Sequence, residues 1–288
     1  LLLFIDGVAV GSDDEGVNPF AFKKSAALPY YDSADFSSLP YDGVLKPTRA
    51  DMDVPGLPQS GTGQTALFTG VNCAKIVGRH ISGLPSPSLR PIIDDHSIFL
   101  KLRQAGKKAT FANALSEAYF ERRGERIAAT ARAQKAGGFA PRMIEDLIEE
   151  RAVTHDLTNH FMGRLGFDVP KFTVERSAEI LAEILDEVDF CLFEYILSDV
   201  YGHAQDFDGA CEIVDILDRF LSRLLASVNL RNTTILLSSD HGNLEDLSIK
   251  MHTKNLLPTC VWGANRDKIV SSIERIEDIT PAILANIV

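Results

Sequence analysis

The sequence predicts an α/β protein: a mainly parallel sheet with helices on both faces. Two observations carry this. Short apolar runs at 1–5, 190–197 and 233–237 are separated by long stretches with helical spacing, the alternation that builds parallel sheets covered on both sides. The chain has 288 residues, 45% of them apolar, enough for one large domain with a modest insertion.

Taken in order, Leu1–Ile5 reads as a buried strand ending at Asp6-Gly7. Residues 11–59 are rich in Gly, Pro, Ser and Asp and read as long surface loops, which often frame a site. A short helix is expected at 62–69, another at 96–105 ended by Gly106, and a strand at 108–112. Composition favours one helix over 115–136, broken by Gly137, Gly138 and Pro141, and a second over 141–150. The pattern from 154 to 172 is poor, and a small cap insertion is expected at about 114–172. Thr173 caps a helix carrying Ile180, Leu181, Ile184 and Leu185 at helical spacing. Phe190–Leu197 reads as a buried strand, 207–228 as a long amphipathic helix, and 233–237 and 259–262 as strands. Thr280-Pro281 is a helix start.

The net charge of −11 disfavours nucleic acid and anionic lipid as stable partners, while a phosphorylated substrate remains compatible if bound cations reverse the local sign. Cys73, Cys191, Cys211 and Cys260 share no CxxC spacing and read as buried free thiols. No run of apolar residues is long enough to span a membrane. The chain opens on Leu1 inside an apolar run, so its N-terminus reads as incomplete; a cytoplasmic location is the default expectation.

In open α/β folds, ligands bind beyond the carboxyl ends of the strands. Three apolar runs end near an aspartate there: Asp6, Asp199 and Asp240. Bare carboxylates so crowded would raise one another's pKa, and metal cations are the simplest way to keep them charged. The histidines agree: His203 lies four residues after Asp199, His241 adjoins Asp240, and His252 follows a short loop later. Mixed imidazole and carboxylate donors suit Zn, Mn or Fe(II). A third component is Pro58-Gln59-Ser60-Gly61-Thr62-Gly63-Gln64-Thr65, where a hydroxyl before a helix can meet an anion at the helix N-terminus. Composition leaves Ser60 and Thr62 nearly tied as nucleophile.

The set resembles the alkaline phosphatase superfamily, and within it the cofactor-independent phosphoglycerate mutase branch. Phe4-Ile5-Asp6-Gly7 is similar to that family's first metal-binding strand end, and Asp199 through His203 to its Asp-x-x-x-His element. Ser60-Gly61-Thr62-Gly63-Gln64 resembles the nucleophile segment, where the mutases carry Ser-Glu-Val-Gly-His; that register selects Ser60. Ser239-Asp240-His241-Gly242-Asn243, with His252-Thr253 and Pro258, resembles the last element. The resemblance implies two divalent metal ions, Zn or Mn. One would be held by Asp199, His203 and His252, the other by Asp6, Asp240, His241 and the Ser60 oxygen. It further implies a small phosphorylated substrate and a phosphoseryl intermediate on Ser60.

The sequence departs from the mutases at Gln64, Gly61 and Thr62, and their large inserted domain does not fit between Lys75 and Asp199. Hydrolysis of a phosphate ester is therefore the leading expectation. A phosphomutase and a non-catalytic metal-binding protein that kept the fold are the alternatives. A sulfatase is disfavoured because no Cys/Ser-x-Pro-x-Arg pattern surrounds Ser60, and a dehydrogenase because no G-x-G-x-x-G follows the first strand. Candidate cations for the phosphoryl group are Arg79, Arg90, Lys107 and Arg122; Asn113 and Thr154-His155-Asp156 are candidate substrate contacts.

Overall fold

The computed structural model describes residues 1–37 and 39–288. Strand β1 spans Leu2–Ile5, β2 Val44–Thr48, β3 Ala109–Phe111, β4 Phe190–Tyr195, β5 Thr234–Ser238 and β6 Leu257–Gly263. They form one six-stranded sheet in the order β2-β6-β5-β1-β4-β3. The four strands β3, β4, β1 and β5 are mutually parallel, whereas β6 runs antiparallel to both β5 and β2. The helices are α1 (Pro19–Lys23), α2 (Ser60–Thr69), α3 (Cys73–Val77), α4 (Arg90–His96), α5 (Ile98–Gln104), α6 (Glu117–Arg123) and α7 (Ala129–Ala136). They continue with α8 (Ile144–Ile148), α9 (His160–Arg164), α10 (Val174–Leu185), α11 (Leu197–Ala204), α12 (Phe207–Ser227), α13 (Arg266–Ser271) and α14 (Ile279–Ile287).

Strand alternation sends successive side chains to opposite faces. Leu3, Ile5, Phe193, Tyr195, Ile235 and Leu237 join one core with residues of α10 and α12. Leu2, Phe4, Phe190, Leu192 and Leu236 join the other with residues of α2, α5, α7 and α14. The α/β architecture with helices on both faces is thus as the apolar runs predict. Among the described residues, no helix is long and apolar enough to cross a membrane.

Several elements differ from the sequence reading. Strand β2 lies inside the stretch read as loop: Pro47 hides it, yet Pro47 stands opposite Pro258 on an edge strand, where proline is tolerated. The helix expected over 115–136 is two, α6 and α7, separated after Gly124, whose φ is 52°. The helix expected at 96–105 is α5, which begins two residues later because Ser97 caps it, its hydroxyl accepting from Leu100 N (3.1 Å) and donating to Ala133 O (2.9 Å). Thr173 caps α10 as expected, accepting from Arg176 N at 3.1 Å. Within 114–172, α7 sits in the core, with Ala129 and Ala133 fully buried.

Strand β4 ends at Tyr195, so Asp199 does not terminate the strand; it lies in the first turn of α11. Helical spacing then places His203 one turn later on the same face.

Candidate metal centre

All seven predicted ligand positions gather at one rim, beyond the carboxyl ends of β1, β4 and β5. Asp6 follows β1 directly, and Asp240-His241 follow β5. Gly7 makes the closeness of Asp6 and α11 possible: with φ of +69° it takes a left-handed turn, and a Cβ there would stand 2.7 Å from Asp199 Oδ1.

Helix α2 begins at Ser60, so the serine is its first residue rather than part of a preceding turn. The helix packs end-on against the β5 loop because Gly63 has no side chain; a Cβ would lie 2.5 Å from the Asp240 carbonyl oxygen. This approach brings Ser60 Oγ to 3.0 Å from His241 Nε2. Thr62, the other hydroxyl weighed from composition, is fully buried and donates to Gln59 O at 3.2 Å.

Two groups of donor atoms converge. Asp6, Asp240 and His241 bring ligand atoms within 4.8 Å of one another, and so do Asp199, His241 and His252. His241 Nε2 lies 3.4 Å from Asp6 Oδ1 and 3.5 Å from Asp240 Oδ2. The His241 ring stacks on His252 with centroids 3.6 Å apart. His203 Nε2 is 3.4 Å from Asp199 Oδ2 and 3.2 Å from His252 Nε2. The expected partition assigned His241 to one group only; here it stands between both, and the more exposed His203 closes the outer side. The other ring nitrogens are anchored to main chain, His252 Nδ1 on Pro58 O (3.0 Å) and His203 Nδ1 on Lys250 O (2.9 Å). Such anchoring directs each Nε2 inward.

The electrostatics are those of crowded, buried carboxylates. Burial, then the Asp199 charge, pushes the Asp240 carboxyl up to about 7. Burial, followed by the charges of Asp240 and Asp199, holds Asp6 well above the usual carboxylate range. Burial, then the neighbouring His252, lowers His241 to about 3. Asp6 Oδ1, His241 Nδ1 and Asn243 Oδ1 are buried with no hydrogen-bond partner among the described residues. A carboxylate oxygen left without a donor beside imidazole nitrogens fits a divalent cation of the Zn or Mn type.

The sequence reading missed the residues that hold these ligands. Gln64, one turn beyond Ser60, donates to both Asp6 and Asp240. Asn243 Nδ2 donates to Asp199 Oδ1 at 2.7 Å. The buried Glu245 carboxylate accepts from Ala9 N (3.2 Å), Asn243 N (2.8 Å) and Asn255 Nδ2 (3.1 Å), tying the loop after β1 to both ends of the loop between β5 and β6. Glu194, on β4 and bonded by Thr130 Oγ1 at 2.9 Å, is pushed up to about 7 by enclosure in the protein and adds negative field at Asp6. Only the run Asp240-His241-Gly242-Asn243 offered a signal, through adjacency.

The other candidate contacts have these surroundings. Lys107 precedes β3 and sits at the opposite edge of the sheet. Arg90 Nε donates to Pro85 O and Arg122 Nε to Ala118 O, while Arg79 is exposed at the end of α3. Asn113 is used structurally: its amide donates to Glu194 O (2.8 Å) and accepts from Glu194 N (2.9 Å). Asp156 accepts from the amides of Thr158, Asn159 and Phe161 at the start of α9, and His155 packs on Phe161.

The chain is similar to several known proteins. A segment of 122 residues is 28% identical to the 2,3-bisphosphoglycerate-independent phosphoglycerate mutase of Moorella thermoacetica, covering 40% of this chain and 24% of that enzyme. The chain thus matches about a quarter of the length of that relative. Among solved structures, a Pyrococcus horikoshii protein matches with a TM-score of 0.56 at 14% identity, covering 99% of this chain and 96% of the other. The alkaline phosphatase from the Antarctic bacterium TAB5 matches with a TM-score of 0.52 at 14% identity, with 99% and 96% covered. At that identity the likeness is one of fold. The model of the metalloenzyme superfamily matches residues 1–288 throughout. The chain therefore belongs to the metalloenzyme superfamily, that of the alkaline phosphatases.

Proposed function

We propose that the chain is a metal-dependent hydrolase of phosphate esters, a phosphatase or phosphodiesterase, acting through Ser60. Members of its superfamily are metal-dependent phosphoryl-transfer enzymes. The observation that supports the reading best is the 3.0 Å approach of Ser60 Oγ to His241 Nε2, at the junction of the two donor groups. Asp6, Asp240, His241 and the Ser60 oxygen would hold one divalent cation, and Asp199, His203 and His252 a second. Zn or Mn bound there supplies Lewis acidity and positive charge for the phosphoryl oxygens.

The chain's own residues do the rest. Ser60 Oγ loses its proton and attacks phosphorus; the ester oxygen leaves with the electron pair of the broken P–O bond and takes up a proton. The product of this step is a phosphoserine at position 60. Water then attacks the same phosphorus, the P–Oγ bond breaks, and Ser60 regains a proton as phosphate, or a phosphate monoester from a diester, departs. Ser60 sits at the N-terminus of α2. The amides of Thr62 and Gly63 are taken by Ile81 O and Gln59 O, whereas those of Ser60 and Gly61 have no partner among the described residues and would face a phosphoryl oxygen. Any cap over the substrate would come from the parts of 114–172 outside α7.

A phosphomutase is the second reading, favoured by the 28% identity with the Moorella enzyme. The test is Ser60→Ala, with metal content and ester turnover measured together. The expected result is retained metal and turnover reduced on the order of 10³-fold or more. Unchanged turnover with full metal content would remove Ser60 as nucleophile. A phosphoryl label passing to a second hydroxyl rather than to water would replace the hydrolase with the mutase.

A further inference from the structure

We propose that Gln64 is a positioning residue that ties Asp6 to Asp240 and thereby decides which oxygen of Asp6 faces a cation. The inference rests on the metal-centre part of the proposed function and not on the reaction. Gln64 is buried on α2, 8% exposed, one turn from Ser60. Its Nε2 lies 3.3 Å from Asp6 Oδ2 and 3.1 Å from Asp240 Oδ2. The two carboxylates are carried by neighbouring parallel strands, and a single amide nitrogen spans them.

The chemistry fixes the orientation. Two carboxylate oxygens are acceptors, so the amide end that faces them must be the NH₂, whose two hydrogens go one to each. A carboxylate is planar, so pinning one oxygen sets the direction of the other. Among the described residues Asp240 Oδ1 receives only a long contact from Gly7 N, at 3.4 Å, while Asp240 Oδ2, the oxygen bonded by Gln64, lies 3.5 Å from His241 Nε2. Asp6 Oδ1 receives no hydrogen bond among the described residues and lies 3.4 Å from His241 Nε2. The free oxygen of Asp6 is therefore the one turned toward the imidazole, and Gln64 keeps it there. The arrangement also ties the metal-binding pair to the nucleophile's helix, whose close seat against Asp240 depends on Gly63. This same position is where the chain departs from the Ser-Glu-Val-Gly-His segment of the mutases, whose histidine has only one hydrogen per ring nitrogen to give.

Removing an outer partner of a metal ligand typically weakens metal binding 10–100-fold. Gln64→Leu keeps the volume and deletes both donors. Titration of the full chain with Mn²⁺ or Zn²⁺ alone, followed by calorimetry, should show affinity at the Asp6–Asp240–His241 group falling about 10–100-fold. The same change in an Asp6→Ala background, which removes the carboxylate that Gln64 orients, should have a much smaller effect, and in a His203→Ala background an undiminished one, because coupling is confined to groups in contact. Gln64→His, with one donor, should bind between the parent and the leucine variant, and serves as the test if the leucine variant does not fold. A purely packing role would change the unfolding midpoint and leave the metal affinities alone. Parent-like affinity in Gln64→Leu, or in Gln64→His where only that folds, overturns the proposal while the metal centre stands. A parent chain that takes up no divalent cation overturns both.

Discussion

Asp240 turns the burial of a carboxylate into a measurable pH dependence. Burial, aided by the Asp199 charge, moves its pKa from 3.8 to about 7. One unit is about 1.36 kcal/mol, so the shift of roughly three units is worth about 4 kcal/mol. The sign follows from where the proton is held. Below 3.8 the carboxyl is protonated in both folded and unfolded chains and has no effect. As pH rises toward 7 the unfolded chain ionises while the folded one retains the proton, and the folded state loses stability; beyond 7 the full loss is reached. The perturbation is Asp240→Asn, which keeps an oxygen for the Gln64 amide and cannot ionise. Urea unfolding of both proteins in EDTA, from pH 4 to 8, should show the parent losing about 4 kcal/mol relative to the variant. Excess Mn²⁺ should reverse the trend in the parent alone, since a cation bound only by the folded chain at 100 times its Kd adds about 2.7 kcal/mol. A difference between parent and variant that is flat with pH would refute the reasoning, because Asp240 would then be no costlier to ionise in the fold than in the open chain.

Two further substitutions separate the site from its scaffold. Gly63→Ala places a Cβ 2.5 Å from the Asp240 carbonyl oxygen, so α2 must withdraw and carry Ser60 with it. Turnover should fall about 10²-fold with the chain still folded, as steady-state kinetics and circular dichroism would show; wild-type kcat would mean that the seat of α2 does not set the reaction geometry. Asn113→Ala removes two hydrogen bonds to the Glu194 main chain and should lower unfolding free energy by about 2 kcal/mol with metal affinity unchanged. A drop in metal affinity without a drop in stability would instead assign Asn113 to the centre.

What the sequence made legible follows from how local each signal is. Strands β1, β4 and β5 announce themselves because they are buried on both faces and read as mainly apolar runs, broken in β4 only by Glu194. The aspartates after them, and the histidines beside those, could be assigned to one rim from the parallel topology alone. Strand β2 was not legible, because its pairing depends on β6, some two hundred residues later, and not on its own alternation. Asp199 was placed at a strand end because Leu197 extends the apolar run; the chain has already turned into α11 by then. The position of His241 between two donor groups depends on its stacking against His252, which no spacing reveals. Gln64 and Asn243 carry ordinary amides whose use appears only when the carboxylates they meet are brought in from distant strands.

The facing prolines of β2 and β6 have an effect on how copies of this molecule meet. A directly opposed antiparallel pair either exchanges two N–H···O bonds or none, and Pro47 with Pro258 can exchange none. The ladder between these strands therefore sacrifices nothing, and the missing donor of Pro47 falls on the outer margin, where the flanking amides of Leu45 and Arg49 are already taken by Phe36 O and Glu274 O. At the far margin β3 is three residues long, and the chain at Val153 already occupies the continuation of its edge, bonded to Ala112 O at 3.0 Å. Both borders of the sheet are thus blunted against edge-to-edge extension by a strand from a second copy.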